Sequence, residues 1–133
     1  MHLDSVPKQN LLKMGRFQKL WRYDRQDENL VMNGIRIAHV RLFFWDNALH
    51  SVEIKTHEGD GDKMLAWLKS VYGAGRKEDA MGYRYSFFLP TMRVLWDENM
   101  ALKQGVAEFI DENTNDKYWL FMETKERRSS FND

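Results

Sequence analysis

Residues 35–56 read IRIAHVRLFFWDNALHSVEIKT, and this stretch decides the fold of the chain. Apolar and polar residues alternate in it on both sides of a short interruption at residues 46–48. A period of two residues is typical of a β-strand with one buried face, and Asp and Asn favour turns. The stretch therefore predicts a β-hairpin from Ile35 to Thr56 that turns at Asp46-Asn47-Ala48.

One register of this hairpin separates apolar from charged side chains, and it places Trp45 opposite Leu49. The apolar face then consists of four cross-strand pairs: Phe44–His50, Leu42–Val52, Val40–Ile54 and Ala38–Thr56. The other face holds two pairs: Arg41–Glu53 and His39–Lys55. A slip by one residue would mix the two sets, so the pattern predicts this register.

An amphipathic helix follows the hairpin. Its apolar stripe repeats with helical spacing and consists of Met64, Leu65, Trp67, Leu68, Val71 and Tyr72. Asp60 or Asp62 is suited to cap its start, and Gly73 is suited to end it in a left-handed conformation. We expect this helix to cover one face of a sheet.

Alternating patterns predict further strands from Phe17, over 83–89, 92–96, 106–110 and 118–123, with Pro90 at a strand end. Polar clusters between apolar runs are interpreted as turns: Asp27-Glu28-Asn29, Asp46-Asn47, Asp97-Glu98-Asn99 and Asp111-Glu112-Asn113. The predicted fold class is α+β, a curved antiparallel sheet of about six or seven strands with one main helix packed on one face.

The length of 133 residues fits one domain. We divide the chain into an N-terminal segment, residues 1–16, a single α+β domain, residues 17–125, and a C-terminal tail, residues 126–133. The last two predicted strands are apolar on both sides. Because one helix covers one face only, a spare apolar face must curl on itself, be covered by the N-terminal segment or meet a partner.

Composition and charge exclude several classes of function. The formal net charge is zero, from 20 basic and 20 acidic residues, which argues against a nucleic-acid partner because phosphate binding needs a basic surface. The absence of cysteine excludes a disulfide framework, a thiolate metal site and a cysteine nucleophile. No apolar run approaches the roughly 20 residues of a membrane span.

No catalytic residue, metal site or cofactor is predicted. In the predicted register His39 and His50 point to opposite faces, so the histidines do not converge on a metal. Gly73-Ala74-Gly75 follows a helix, whereas a phosphate-binding loop precedes one. Aromatic side chains are the remaining candidates for ligand binding, with core filling as the alternative: Trp21, Tyr23, Trp45, Tyr85, Trp96 and Trp119.

Residues 34–73 resemble small uncharacterised bacterial α+β domains, in which a hairpin leads through an amphipathic helix ending in Tyr-Gly to an antiparallel meander. The resemblance rests on Gly34, Phe43-Phe44-Trp45-Asp46, Leu49-x-x-Val52-x-Ile54 and Leu65-x-x-Leu68-x-x-x-Tyr72-Gly73. Some domains of that kind belong to envelope or lipoprotein-like proteins. The resemblance covers structural positions only and implies no site residues.

We therefore expect a non-enzymatic binding or protein-interaction module that pairs with a protein or a second copy through an apolar sheet face. One alternative is a small-molecule or carbohydrate binder with an aromatic-lined groove. A second alternative is a small hydrolase-like enzyme with a carboxylate or histidine site. The lack of a visible leader favours a soluble cytoplasmic protein, and a removed leader would instead indicate the envelope or periplasm.

Overall fold

The predicted hairpin forms the middle of an antiparallel sheet. The computed structural model describes residues 11–17, 20–25 and 30–132. Within these ranges the elements are, in chain order, β1 (Leu11–Phe17), β2 (Leu20–Arg25), β3 (Val31–Met32), β4 (Ile35–Trp45), β5 (Ala48–Thr56), α1 (Gly61–Tyr72), β6 (Arg76–Lys77), β7 (Arg84–Phe88), β8 (Met92–Asn99), β9 (Gln104–Asp111) and α2 (Glu112–Asn132). The predicted α+β class is confirmed.

The order of the strands shows where the chain crosses the sheet and how it returns to the centre. The strands lie in the order β1-β2-β4-β5-β9-β8-β7-β6, all neighbours are antiparallel, and β3 pairs with β4. After β5 the chain crosses the sheet through α1 and reaches the far edge at β6. It then returns as a meander, so that β9 pairs with β5 at the centre.

The centre of the predicted hairpin register is confirmed. Four predicted pairs are present in the structure: His39–Lys55, Val40–Ile54, Arg41–Glu53 and Leu42–Val52. These pairs keep apolar side chains on one face and charged side chains on the other, as the alternation requires.

The turn of the hairpin is tighter than predicted. Asp46 and Asn47 both have positive φ, at 51° and 63°, and the turn pairs Trp45 with Ala48. Positive φ at both central residues is the signature of a two-residue type I′ turn, whose twist suits a hairpin. The predicted pairing of Trp45 with Leu49 and the three-residue turn are therefore wrong.

Two β-bulges reconcile the tight turn with the central register. Between Phe43 and Phe44 the register shifts by one residue, which leaves His50 as an extra residue on β5. A second shift leaves Ala38 as an extra residue on β4, so the predicted pair of Ala38 with Thr56 is also wrong. Bulges re-aim side chains, and the one at His50 matters for the functional site.

The helix α1 forms as predicted, although Asp60 acts differently from a cap. The carboxylate of Asp60 is buried and accepts hydrogen bonds from Arg36, from the amide at 2.8 Å, from Nε at 3.1 Å and from Nη2 at 3.1 Å. These bonds hold the pKa of Asp60 far below its usual range. At the other end, the amide of Gly73, whose φ is 93°, donates to the carbonyl of Lys69. The start of α1 is thus tied to the start of β4.

The core lies between α1 and the sheet. Met64 and Leu68 of α1 are almost fully buried. They join a cluster of strand residues: Ile35, Ile37, Val40, Ile54, Phe87, Val94, Trp96 and Ala107. Removing such side chains from water supplies the dominant favourable term in folding.

The C-terminal part of the chain is a helix, so the strand predicted over 118–123 is wrong. The amide of Thr114 donates to Asp111 Oδ1 at 2.9 Å, which is the bond an N-capping side chain makes. Half-buried Tyr118, Phe121 and Met122 then recur with helical spacing. The cluster Asp111-Glu112-Asn113 is therefore a helix start rather than a hairpin turn.

The remaining predicted elements agree with the structure in part. The meander strands β7, β8 and β9 are confirmed, and Pro90 follows a strand end. The turn predicted at Asp97-Glu98-Asn99 is wrong, because these residues form the end of β8 and pair with the start of β9. The strand predicted from Phe17 is instead divided between β1 and β2, and the turn predicted at Asp27-Glu28-Asn29 lies outside the described residues. The domain limits stay a prediction, although β1 begins within segment 1–16 and α2 extends into segment 126–133.

Gly105 gives a test of the central packing. A β-carbon at this position would overlap the Trp96 ring, which is 1% exposed. We expect Gly105→Ala to lower the free energy of unfolding by roughly 1–3 kcal/mol, the usual cost of overpacking. Denaturant unfolding of Gly105→Ala, Trp96→Leu and the double variant measures this cost. Losses that simply add in the double variant would contradict the overlap, because removing the ring should relieve it.

Candidate functional site

The sheet face opposite α1, called the open face here, carries the charged side chains of the domain. On the central strands, Ile54, Ala107 and Trp96 are cross-strand neighbours in the core. Because side chains alternate along a strand, their chain neighbours lie on the open face. Each strand from β2 to β7 in the sheet order contributes a charged residue there. The open face is apolar only at one end, where Trp45 packs against Tyr118 and Phe121 of α2 and Ile110 is buried. The predicted spare apolar face is therefore confined to that end, and its cover includes α2.

The first turns of α2 cover one end of the open face. The bulged His50 places Nε2 2.9 Å from Asn115 Oδ1 and Nδ1 2.9 Å from Ser51 Oγ. The ring of Tyr118 packs edge-on against His50 and Trp45, with centroid distances of 5.3 Å and 6.0 Å. Within the part of α2 whose side chains are described, the contacts with the sheet lie at this end of the face.

A straight row of side chains crosses the open face. Its members, which we call the carboxylate row, are direct cross-strand partners on six adjacent strands: Asp24, Arg41, Glu53, Glu108, Leu95 and Ser86. Direct partners have β-carbons about 4.5–5.5 Å apart, so neighbouring charges in the row interact.

The first half of the carboxylate row alternates in charge. Arg41 lies 3.5 Å from Asp24 Oδ1 through Nε and 3.4 Å from Glu53 Oε2 through Nη1. Arg22 donates to both oxygens of Asp24, and His39 Nε2 lies 3.3 Å from Glu53 Oε2. The bond from Arg22 lowers the pKa of Asp24, and the contacts of His39 and Arg41 lower the pKa of Glu53. Both carboxylates are therefore held in the ionised form.

The alternation breaks at Glu108. This residue lies directly opposite Glu53 on one side and Leu95 on the other. Among the described residues no hydrogen bond or ion pair reaches its carboxylate. Burial and the charge of Glu53 raise the pKa of Glu108, while His50 and Arg93 act weakly in the opposite direction. Glu108 is thus a carboxyl group that no described basic side chain contacts directly.

A second row runs beside the first. Its members, called the lysine row, are the cross-strand partners His39, Lys55, Val106, Asp97 and Arg84. Arg84 Nε lies 3.8 Å from Asp97 Oδ2 at the exposed rim. Lys55 forms no ion pair with any residue in the described ranges. The two rows therefore hold one unpaired anion and one unpaired cation.

A cavity of about 670 Å³ lies over the two rows, at the end of the open face away from α2. This cavity, called the groove here, is bordered on four adjacent strands by Lys55, Glu108, Val106, Leu95, Asp97 and Ser86, among others. Leu95 and Val106 provide apolar surface between the charged groups. A cavity of this size is within the range of small-molecule sites, about 300–1,000 Å³.

The six aromatic residues predicted to bind a ligand are spread over the molecule. Trp45 and Trp96 are buried, and Trp21 and Tyr23 lie half-buried on β2. Trp119 is 61% exposed on α2. The structure does not bring the six together, and a ligand-binding role for them stays a prediction.

Two of these aromatics border the groove, but their rings serve the other side of the sheet. The ring of Trp96 belongs to the core. Tyr85 also packs against the core, and the Nζ of Lys69 from α1 lies 4.3 Å from its ring centroid. The polar residues Lys55 and Glu108, rather than these rings, form the distinctive chemistry of the groove.

Sequence reasoning missed Glu108 as a candidate. Lys55 and Glu53 were placed correctly on the outer face of the hairpin, but Glu108 lies on a strand far away in sequence. Its position opposite Glu53 depends on the pairing of β5 with β9, which no local pattern encodes. The one available signal was a charged residue in the centre of an otherwise apolar strand, Val106–Ile110.

The unpaired carboxyl group leads to a prediction about stability. At neutral pH the folded protein holds Glu108 next to Glu53 in a half-buried site, whereas the unfolded chain solvates both. We therefore expect Glu108→Gln to stabilise the protein by roughly 0.5 kcal/mol at neutral pH, the size of one unfavourable cross-strand charge pair.

The gain has a defined pH dependence. Because the pKa of Glu108 is raised in the folded state, the wild-type protein loses stability as pH rises through and above the ordinary glutamate range. The stabilisation by Glu108→Gln should therefore vanish at about pH 3, well below the ordinary glutamate pKa, where the carboxyl group is protonated in both states. Thermal unfolding of Glu108→Gln and of the exposed control Asp116→Asn tests this. If Glu108→Gln is less stable than the wild type at neutral pH, the ionised Glu108 does not destabilise the folded protein and the prediction is wrong.

The groove is the basis for a functional conclusion, because neither other features of the described residues nor comparison with other proteins indicates a role. No group of three or more potential metal ligands lies close together among the described residues. No described helix combines the length and the apolar character that crossing a membrane requires. The likeness to small bacterial α+β domains stays a prediction. No protein-family model, curated protein or solved structure matches this chain.

Proposed function

We propose that this protein is a non-enzymatic binding module that holds a small polar molecule in the groove. The observation that carries the proposal is the cavity of about 670 Å³ over Glu108 and Lys55, two charged groups without partners. A charge that is half-buried and unpaired is unfavourable in the folded protein. A ligand of complementary charge removes this penalty on binding.

The surrounding contacts support a preformed site. Glu53, next to Glu108, is fixed by His39 and Arg41, and these belong to the rigid central strands. Sites built on strands hold their groups more accurately than sites on loops. The groove therefore needs little rearrangement to accept a ligand.

The charges of the open face favour small-molecule binding over a protein partner or a carbohydrate. An interaction through an apolar sheet face has lost its main support, because α2 covers the apolar end of the open face and the rest of the face carries charges. A carbohydrate site would need stacked aromatic walls, and the six candidate rings do not form one wall. A small molecule recognised by charge is the version that the groove favours.

Acid–base catalysis is a second candidate, and one observation favours it. Glu53 and Glu108 are direct partners whose pKa values shift in opposite directions, a pattern found where one carboxyl group acts as acid and its neighbour as base. However, Glu53 already interacts with His39 and Arg41, and these contacts make it a weak base. Binding therefore ranks first.

Filling the groove tests the proposal. We expect Val106→Trp to occupy the space between Lys55 and Asp97, and Val71→Trp, on the exposed side of α1, is the matched control. The measurement is a panel of charged small metabolites, read by amide chemical shifts and by ligand-induced thermal stabilisation.

The expected result is that at least one compound shifts the amides around Lys55 and Glu108 in the wild type and in Val71→Trp but not in Val106→Trp. A panel in which no compound perturbs the groove amides would refute the proposal. Equal binding to both tryptophan variants would refute it as well. Turnover of a bound compound that depends on Glu108 would instead support the catalytic candidate.

A further inference from the structure

Building on the proposed function, we infer that the ligand is a small zwitterion with its two charges several bonds apart. Its ammonium group binds the carboxylate of Glu108, its carboxylate binds the ammonium group of Lys55, and its carbon chain lies over Leu95 and Val106. This assignment follows from which charges in the two rows are left without partners and from the apolar side chains that lie beside them.

Glu108 is the position for the cationic group of the ligand. In the carboxylate row, Asp24 and Glu53 each have a cationic partner in Arg41, and only Glu108 has none. An ammonium group in the groove would continue the alternation that the row begins. Hydrogen bonds between ionised groups are about twice as strong as those between neutral groups.

Lys55 is the position for the anionic group. Its cross-strand partners are His39 and Val106, so it has no carboxylate directly opposite. His39 already contacts Glu53. Two other acidic groups at the groove have cationic partners, since Asp97 pairs with Arg84 at 3.8 Å and Glu78 pairs with Arg76 at 3.4 Å. The carboxyl group of Glu98 instead lies beside Gly61 and Asp62 of α1.

The placement of the two groups requires a ligand that bridges them. Lys55 lies opposite Val106, and Glu108 lies two residues further along the same strand. The α-carbons of such diagonal neighbours are about 7–8 Å apart. The ammonium group of Lys55 and the carboxylate of Glu108 form no ion pair with each other in the structure. A ligand that binds both groups must therefore bridge the gap between them and pass over the side chains of Leu95 and Val106.

The apolar floor explains why a carbon chain should separate the charges. Leu95 is the direct partner of Glu108, and Val106 is the direct partner of Lys55. A methylene chain between the two charged ends would cover both side chains and remove their surface from water. This contribution is about 0.8 kcal/mol for each fully buried methylene group.

A matched series of probes tests the inference. The probes are 6-aminohexanoate, with both charges and a long spacer, hexylamine, with the cation only, hexanoate, with the anion only, and glycine, with both charges close together. Binding is measured by titration calorimetry and amide chemical shifts on the full chain. We expect 6-aminohexanoate to bind at least about tenfold more tightly than each other probe, as loss of one charged hydrogen bond implies.

Variants assign the two ends of the probe. Glu108→Gln should weaken 6-aminohexanoate and hexylamine by about tenfold and leave hexanoate unchanged. Lys55→Met should weaken 6-aminohexanoate and hexanoate and leave hexylamine unchanged. Asp116→Asn and Lys117→Met, exposed on α2, remove the same charges elsewhere and should change nothing. Thermal unfolding confirms that each variant is folded.

The outcomes separate this inference from the proposed function. If metabolites bind the groove but 6-aminohexanoate binds no better than the one-charge probes, the zwitterion is wrong and the binding module stands. If both groove variants weaken all charged probes equally, the assignment of the two ends is wrong. If no probe and no metabolite perturbs the groove amides, both ideas fail.

Discussion

Strict alternation of side chains across three central strands is the constraint on which the rest of the structure depends. Once Ile54, Ala107 and Trp96 meet beneath α1, every neighbouring residue on β5, β9 and β8 must lie on the open face. A shift of one strand by a single residue would bury charges and expose the core. The same register that builds the core therefore also aligns Glu53 with Glu108. Core and groove are two results of one pairing.

Two local features hold this register in place. Thr56, which is fully buried, accepts a hydrogen bond from the amide of Gly105 through Oγ1 at 3.1 Å, and its carbonyl accepts one from Gln104 Nε2 at 2.9 Å. These bonds tie the end of β5 to the start of β9. On the other side, the buried Asp60 binds Arg36 at the start of β4. The crossing helix α1 is thus anchored before the meander returns to the centre.

The sequence predicted local structure well and long-range structure poorly, for physical reasons. Alternation predicts β4 and β5, and helical spacing predicts α1, because each pattern can be seen in a short run of consecutive residues. The strand predicted over 118–123 was wrong because five consecutive apolar residues fit either period, and the capping bond of Asp111 decides for a helix. The sequence does not predict the bulge at His50, because the tight turn and the central register require pairings that differ by one residue. Glu108 became a candidate only when β9 was placed beside β5.

The position of the groove follows from what each helix leaves uncovered. The helix α1 occupies one face of the sheet, and the first turns of α2 meet the other face at Trp45 and His50. The bulge that re-aims His50 toward Asn115 is therefore part of what keeps α2 at that end. Had α2 packed further along, Leu95 and Val106 would be covered and Glu108 would need an internal cation. A fold selected for stability alone would place a basic residue opposite Glu108, as it does at Arg41 for Glu53. The unpaired carboxyl group in an open groove is thus better explained by a ligand than by the packing of the sheet.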